Sequence, residues 1–270
     1  MKFGYEIENY DKYLDPDTLI QTAQLLEDSN FHSIWTIDHI MQPKKTKSYR
    51  IISEAITTLG FLAGHTASIK LGVGTLVLPL RNAILAAKQL ATLDYLTKGR
   101  LVISFGAGWN EEEFEFLNQD FHIRGKRFNE SLEVVIALWS DKTSFSGKYY
   151  NFKDVSFKPL RKELADLPIL IAGRSDYAIR RAIKYGDGWF PTIRSATTVK
   201  RRLSKYKKEL EDRKFEVWIW YPIGPNEQIE KIVENCEKNK ITGVVFDLTR
   251  SPKIEREQVL QELCDFVKNY

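Results

Sequence analysis

The feature that most limits how this chain can fold is a recurring order of elements: an apolar β-rich run, a turn, then an amphipathic helix. The clearest copy lies between Lys70 and Trp139. IKLGVGTLVLPLR is a β-rich run interrupted by Gly72 and Gly74. NAILAAKQLATLDYLTKGR then returns Ile84, Ala87, Leu90 and Ala91 at helical spacing, with Gly99 as a C-terminal stop. LVISFGAGWNEEEF reads as a buried strand, a flexible corner and a helix start, where Asn110 and Glu113 have the spacing of a capping box. Strand–helix–strand order implies parallel strands with right-handed crossovers. Chemistry in such units collects beyond the carboxyl ends of the strands, here Pro79 to Asn82 and Gly106 to Trp109.

The same unit recurs. Asp15-Pro16 opens a helix whose Leu19, Ala23 and Leu26 face inward, and Ser29-Asn30 closes it. SIWTIDHI reads as a strand ending in Asp38-His39, followed by a polar loop from Met41 to Arg50 and a helix from Ser53 to Ala63. Strand runs begin near Phe3, Ile34, Leu71, Leu101, Ile169, Trp189, Val217 and Val244, and almost every one is followed by a helix, the last from Glu255 to Lys268. Eight alternating units in 270 residues predict an α/β fold, the (β/α)8 TIM barrel. Residues 143–158 alternate polar and apolar around turn signals and read as an inserted β-hairpin. No linker or composition shift divides residues 1–270, so one domain is expected.

Composition narrows the function. With 40 basic and 36 acidic side chains the net charge of +4 is too small to point to nucleic acid, though it suits an anionic ligand. Cys236 and Cys264 have neither metal nor disulfide spacing, which fits a reducing cytoplasm. The start carries no apolar leader and no run is long enough to span a bilayer, so no membrane association is expected. His32, His65 and His122 lack ligand spacing, so no metal is expected. The run from Lys200 to Lys208 is interleaved with Glu209, Glu211 and Asp212 and reads as a solvated outer helix. Arg124 and Arg127 are expected to pair with Glu130 and Glu133.

Four stretches could carry chemistry at the rim of such a barrel. His39 at a strand end can act as general acid or base, with Asp38 beside it to orient it or to bind a ligand. Gly72 and Gly74 mark either a bulge or a close approach of backbone to a flat group. Gly106, Ala107 and Gly108 leave backbone bare for a ring, with Trp109 beside it. Gly173, Arg174 and Ser175 open a helix and make either a natural phosphate site or simply an N-cap at Ser175 with Arg174 in solvent. Val77 and Glu111 stand where a dinucleotide fingerprint needs its third glycine, so a Rossmann reading is rejected.

Taken together, W-x-x-D-H (Trp35 to His39), LPLRNAILAAKQLATLDYLTKGRL (Leu78 to Leu101), GAGWNEEEF (Gly106 to Phe114), RGKRFNESLEVVIALW, KYYNF and ILIAGRSDYAIRRAIKYGDGW resemble the bacterial luciferase-like superfamily of flavin and deazaflavin oxidoreductases. The resemblance covers nearly the whole chain and implies a (β/α)8 barrel with an inserted segment. It also implies a planar tricyclic cofactor, FMN or the deazaflavin coenzyme F420, at the carboxyl ends of the strands. The F420 branch is the most similar. Hydride would then pass between the ring's C5 and a small organic substrate, with His39 as the proton-transfer group and Asp38 orienting it. The ring would lie against Thr75-Leu76, where members often carry a non-proline cis peptide, and against Gly106 to Trp109, while Gly173 to Ser175 would take the phosphate. The alternative is an FMN-dependent monooxygenase served by a separate flavin reductase. A third reading is a binding protein without turnover. Many members are homodimers, which makes a homodimer the default expectation. One departure stands out: Trp109 replaces the glutamate proton donor of the family's sugar-phosphate dehydrogenases, which speaks against glucose-6-phosphate oxidation. Glu111 to Glu113 are expected to lie exposed in a helix cap, and Ala172-Gly173 replaces a glycine pair common in relatives.

Overall fold

In the computed structural model, which describes residues 1–46 and 49–270, β1 (Lys2–Glu6) leads into α1 (Pro16–Asp28), β2 (Ser33–Thr36) and α2 (Ala55–Ala63). β3 (Lys70–Val77), α3 (Ala83–Leu96), β4 (Leu101–Gly106), α4 (Glu111–Phe116) and α5 (Arg124–Trp139) follow. The excursion β5 (Phe145–Ser146) and β6 (Asn151–Phe152) precedes β7 (Ile169–Ala172), α6 (Asp176–Tyr185), β8 (Gly188–Phe190), α7 (Ala196–Leu203) and α8 (Lys207–Leu210). The chain then forms β9 (Glu216–Pro222), α9 (Ile229–Lys238), β10 (Gly243–Asp247) and α10 (Arg256–Asn269). The parallel strands close a barrel in the order β1-β10-β9-β8-β7-β4-β3-β2. The fold is therefore the expected (β/α)8 barrel.

Local chemistry sets the helix ends. Asp15 accepts the Thr18 amide at 2.9 Å with Pro16 in the first turn, and Asn82 accepts the Ile84 amide at 3.0 Å. Gly99 closes α3 at φ +90, its amide bonded to the Asp94 carbonyl at 2.9 Å. Glu54 caps the second helix by accepting the Thr57 amide at 2.7 Å, which moves the helix start from Ser53 to Ala55.

Two apolar layers hold the barrel. Outside the strands, residues such as Ile34, Leu71, Ile103 and Val244 pack against the helices. Inside, Trp35, Leu170, Phe190, Trp218 and Val245 form a separate plug, with Val102 and Trp220 against it. The plug explains Gly72 and Gly74. A Cβ at Gly72 would stand 2.8 Å from the Trp35 ring, and one at Gly74 would stand 2.7 Å from it. These glycines admit a tryptophan, and the bulge lies one residue later: Gly74 pairs with Ser104 and Leu76 with Phe105, leaving Thr75 unpaired.

Several local expectations fail. The second strand stops at Thr36 rather than running to Ile40, which frees Asp38 and His39 to turn over the rim. The inserted β-hairpin does form, with Phe145 opposite Phe152 and Ser146 opposite Asn151, and Glu130 secures its turn by accepting the amides of Lys148, Tyr149 and Tyr150. Glu130 is thereby withdrawn from the arginines. Arg124 instead donates to the Gly108 and Phe121 carbonyls and Arg127 to Gln119, while Glu133 accepts from Tyr185. The Lys158-Pro159 bond is the only cis peptide among the described residues, so the Thr75-Leu76 bond is trans and the bulge there forms without one. No helix among the described residues is long and apolar enough to cross a membrane.

Candidate active site

The carboxyl ends of the strands gather the predicted residues at one rim. Asp38 and His39 are adjacent in sequence, but their side chains part. Both Asp38 oxygens are taken by Arg81, at 2.7 and 2.6 Å, and one of them also accepts the Val77 amide at 2.8 Å. Burial opposes the charge on Arg81, yet Asp38 and then Glu54 outweigh it and hold the guanidinium above its ordinary pKa. Asp38 therefore ties the end of β2 to the bulged end of β3 instead of orienting His39.

The orienting carboxylate comes from α4. Glu113, only 2% exposed, places Oε2 3.0 Å from His39 Nδ1, while its Oε1 accepts the Ile40 amide at 2.6 Å and the Met41 amide at 3.3 Å. A proton on Nδ1 lets His39 donate to Glu113 and leaves Nε2 as the working nitrogen. This overturns two expectations. Glu113 is buried, and no capping box forms: the Asn110 side chain makes no cap and donates to Gln42 Oε1 at 3.1 Å. The His39 ring stacks on Tyr49, with centroids 5.6 Å apart, and meets Trp109 edge-on at 5.8 Å. Trp109 itself is 68% exposed, an aromatic plate left over the rim.

Along the adjacent rim lie Thr75, Leu76 and the Gly106 to Gly108 corner. Thr75 Oγ1 and Ser104 Oγ are 3.0 Å apart, which fixes the bulge against β4. Gly108 has φ +80, and a Cβ there would come within 2.7 Å of both Phe114 and Val77. That corner cannot carry a side chain, and Arg124 holds its carbonyl at 3.3 Å while lying 3.6 Å over the Phe121 ring. Leu76 is fully buried, so its contribution to the rim is backbone.

Beyond β7 the rim becomes cationic. Ser175 caps α6 by accepting the Ala178 amide at 3.2 Å, and the Gly173 carbonyl accepts Trp189 Nε1 at 2.9 Å. A cleft of about 780 Å³ opens beside them, lined by Arg174, Ser175, Asp176, Ile193, Thr198, Arg201, Arg202 and Lys205. Arg202 crosses it, pairing with Asp176 at 2.5 Å and donating to the Arg174 carbonyl, and this holds the Asp176 carboxyl below its usual range. The segment read as a solvated outer helix thus supplies three of the four cations. Charge interleaving gave no sign of which end of that helix meets the Arg174 turn.

Two further carboxyls were missed, Glu6 and Asp247, each 2% exposed at the carboxyl end of its strand. Their signal was present in KFGYE and GVVFD, where an acid ends an otherwise apolar strand. Among the described residues no group of His, Cys, Asp and Glu could hold a metal ion.

Comparison with known proteins gives this geometry a context. The model of the luciferase-like monooxygenase family matches residues 4–260. The FMNH2-dependent dimethylsulfone monooxygenase of Pseudomonas fluorescens is 31% identical over 90% of this chain and 60% of its own length. The F420-dependent glucose-6-phosphate dehydrogenase of Kineococcus radiotolerans is 26% identical over 71% of this chain and 56% of its own. The chain spans about half the length of the curated relatives it matches. Among solved structures, an F420-dependent secondary alcohol dehydrogenase in complex with an F420-acetone adduct superposes with a TM-score of 0.79 at 17% identity, covering 99% of this chain and 97% of that one.

Proposed function

This chain belongs to the luciferase-like monooxygenase family, and from that premise we propose that it is an F420-dependent oxidoreductase acting on a small organic substrate. One observation carries the choice of cofactor: the cleft at the end of β7 offers Arg174, Arg201, Arg202 and Lys205 against a single carboxylate, Asp176. With Arg202 paired to Asp176, three cations remain, still more than the one phosphate of FMN requires, and they suit a cofactor whose phosphate continues into an acidic tail. The α6 N-terminus, with Ser175 at its cap, adds its partial positive charge.

With the barrel interior filled by its aromatic plug, Thr75, the backbone of Leu76 and the Gly106–Gly108 corner would hold the ring at the rim, with Trp109 beside it. When bound, F420 supplies or accepts the hydride at C5. His39 holds or moves the accompanying proton at Nε2. Glu113 fixes the ring's tautomer and orientation, and Asp38, through Arg81, secures the segment that carries it.

The second reading is an FMNH2-dependent monooxygenase with a separate flavin reductase, favoured by the 31% identity with the dimethylsulfone enzyme. Absorbance titration of the purified protein with each cofactor separates them. Saturable F420 binding that salt weakens, with FMN at least tenfold weaker, supports the first reading. FMN binding without F420 binding overturns it.

A further inference from the structure

The cationic cleft beside α6 is lined by one carboxylate, and that carboxylate sits where a ligand's anionic group would be drawn. Asp176 is the first residue of α6, the end at which a helix favours negative charge. Arg202 of α7 reaches across to it. Its Nη2 pairs with Asp176 Oδ1 at 2.5 Å, while Nη1 donates to the Arg174 carbonyl. The same guanidinium lies 5.8 Å from the centre of the Trp189 ring, whose Nε1 donates to the Gly173 carbonyl at 2.9 Å. The turn between β7 and α6 therefore holds Arg202 through its own oxygens.

The other three cations of the cleft are placed differently. Arg174, Arg201 and Lys205 are exposed and form no ion pair among the described residues. The Asp176 carboxyl is held below its ordinary range, first by the Arg202 hydrogen bond and further by the charges of Lys205 and Arg180. Its side chain is nevertheless 49% exposed and that of Arg202 23%. An ion pair so open to water separates at little cost. Arg202 is thus occupied but releasable.

We propose that Asp176 is the charge-selecting residue of the cleft: it holds Arg202 in the place of a ligand's anionic group, and a ligand binds by taking Arg202 from it. A singly charged anion that takes Arg202 only exchanges one carboxylate–guanidinium pair for another. A multiply charged one takes Arg202 and also meets Arg174, Arg201 and Lys205. The internal carboxylate lowers the affinity for both, and only the second has further contacts with which to overcome it. This selection rests on the proposed function, in which the anion is the phosphate and acidic tail of the cofactor.

Calorimetric titration of the purified protein at low salt, with pyrophosphate and with acetate, tests it. Pyrophosphate should bind about tenfold or more tighter than acetate. Asp176→Asn should tighten pyrophosphate about fivefold, and that gain should fall below about twofold when Arg202→Gln is already in place. A gain of equal size in both backgrounds would reduce Asp176 to a general repulsive charge and overturns the proposal. An unchanged affinity in Asp176→Asn overturns it too, as does acetate binding as tight as that of pyrophosphate. Carboxyl-carbon NMR gives a second readout. The Asp176 resonance should titrate below the ordinary aspartate range in the native protein and move upward both on saturation with pyrophosphate and in Arg202→Gln. A titration that pyrophosphate leaves unmoved rules out the exchange. Failure of pyrophosphate to bind either the native protein or Asp176→Asn would remove the anion site itself. FMN binding in preference to F420 would overturn the cofactor assignment alone and leave the exchange standing.

Discussion

Around Arg174 the rim is open, cationic and carried by a turn and a helix face, whereas around Glu6 and Asp247 it is buried, acidic and carried by strand ends. The contrast follows from how each half gets its charge. Arg174, Arg201 and Lys205 stay exposed and act at a distance, with Arg202 held between them by Asp176, so they can gather an anion without being individually exact in position. Glu6, Asp247 and Glu113 have left water and depend on fixed donors, so each is held by a named hydroxyl, amide, imidazole or indole. The first arrangement suits capture of a long charged molecule. The second suits holding single groups in place.

Substitutions can break this contrast, beginning with the largest effect. Glu113→Gln removes the carboxylate that orients His39, and turnover should fall by about 100-fold or more with cofactor affinity little changed. A parallel loss of both would mean that the two halves are not separable. Arg202→Glu reverses a charge in the open half and should raise the cofactor dissociation constant by about tenfold or more, with turnover at saturating cofactor preserved. Raising salt should imitate it in the native protein and leave the Glu113 effect unchanged. Gly74→Ala presses a methyl against Trp35 beneath both halves. It should cost about 1–3 kcal/mol in urea denaturation, and a negligible change would show that the plug is looser than described.

The smallest effect is a control at the opposite end of the barrel. Burial lowers the His32 pKa from 6.5 to about 4, with Lys2 adding to the effect. The unfolded chain binds that proton first, so this contribution is complete above about pH 6.5 and lost as the pH falls towards 4. His32→Gln should flatten that part of a stability–pH profile while leaving turnover at neutral pH intact.

Much of the architecture could be read from local pattern, because strand runs, the Asp15 and Asn82 caps and the Gly99 stop depend on residues a few positions apart. The Ser175 cap was readable for the same reason, whereas Arg201, Arg202 and Lys205 reach the Gly173 to Ser175 turn from a later segment. What escaped depends on distance in the chain. Glu113 sits three residues after Asn110, and that spacing pointed to a cap. Its partner, however, is His39, 74 positions away. Asp38 was placed with His39 because the two are consecutive, but chain neighbours at a strand end turn to opposite sides, and Arg81 claims the carboxylate. Gly72 and Gly74 invited a ligand or a bulge, since nothing within the third strand announces that Trp35 of the second strand needs the room.

That occupied interior also limits how the protein could be remodelled. With an indole filling the space that the two glycines vacate, there is no depth to excavate for a bulkier guest. Enlargement has to proceed outward, through the segments following β2 and β10. Libraries aimed at new reactivity would therefore sample those connections first and treat the third strand as fixed.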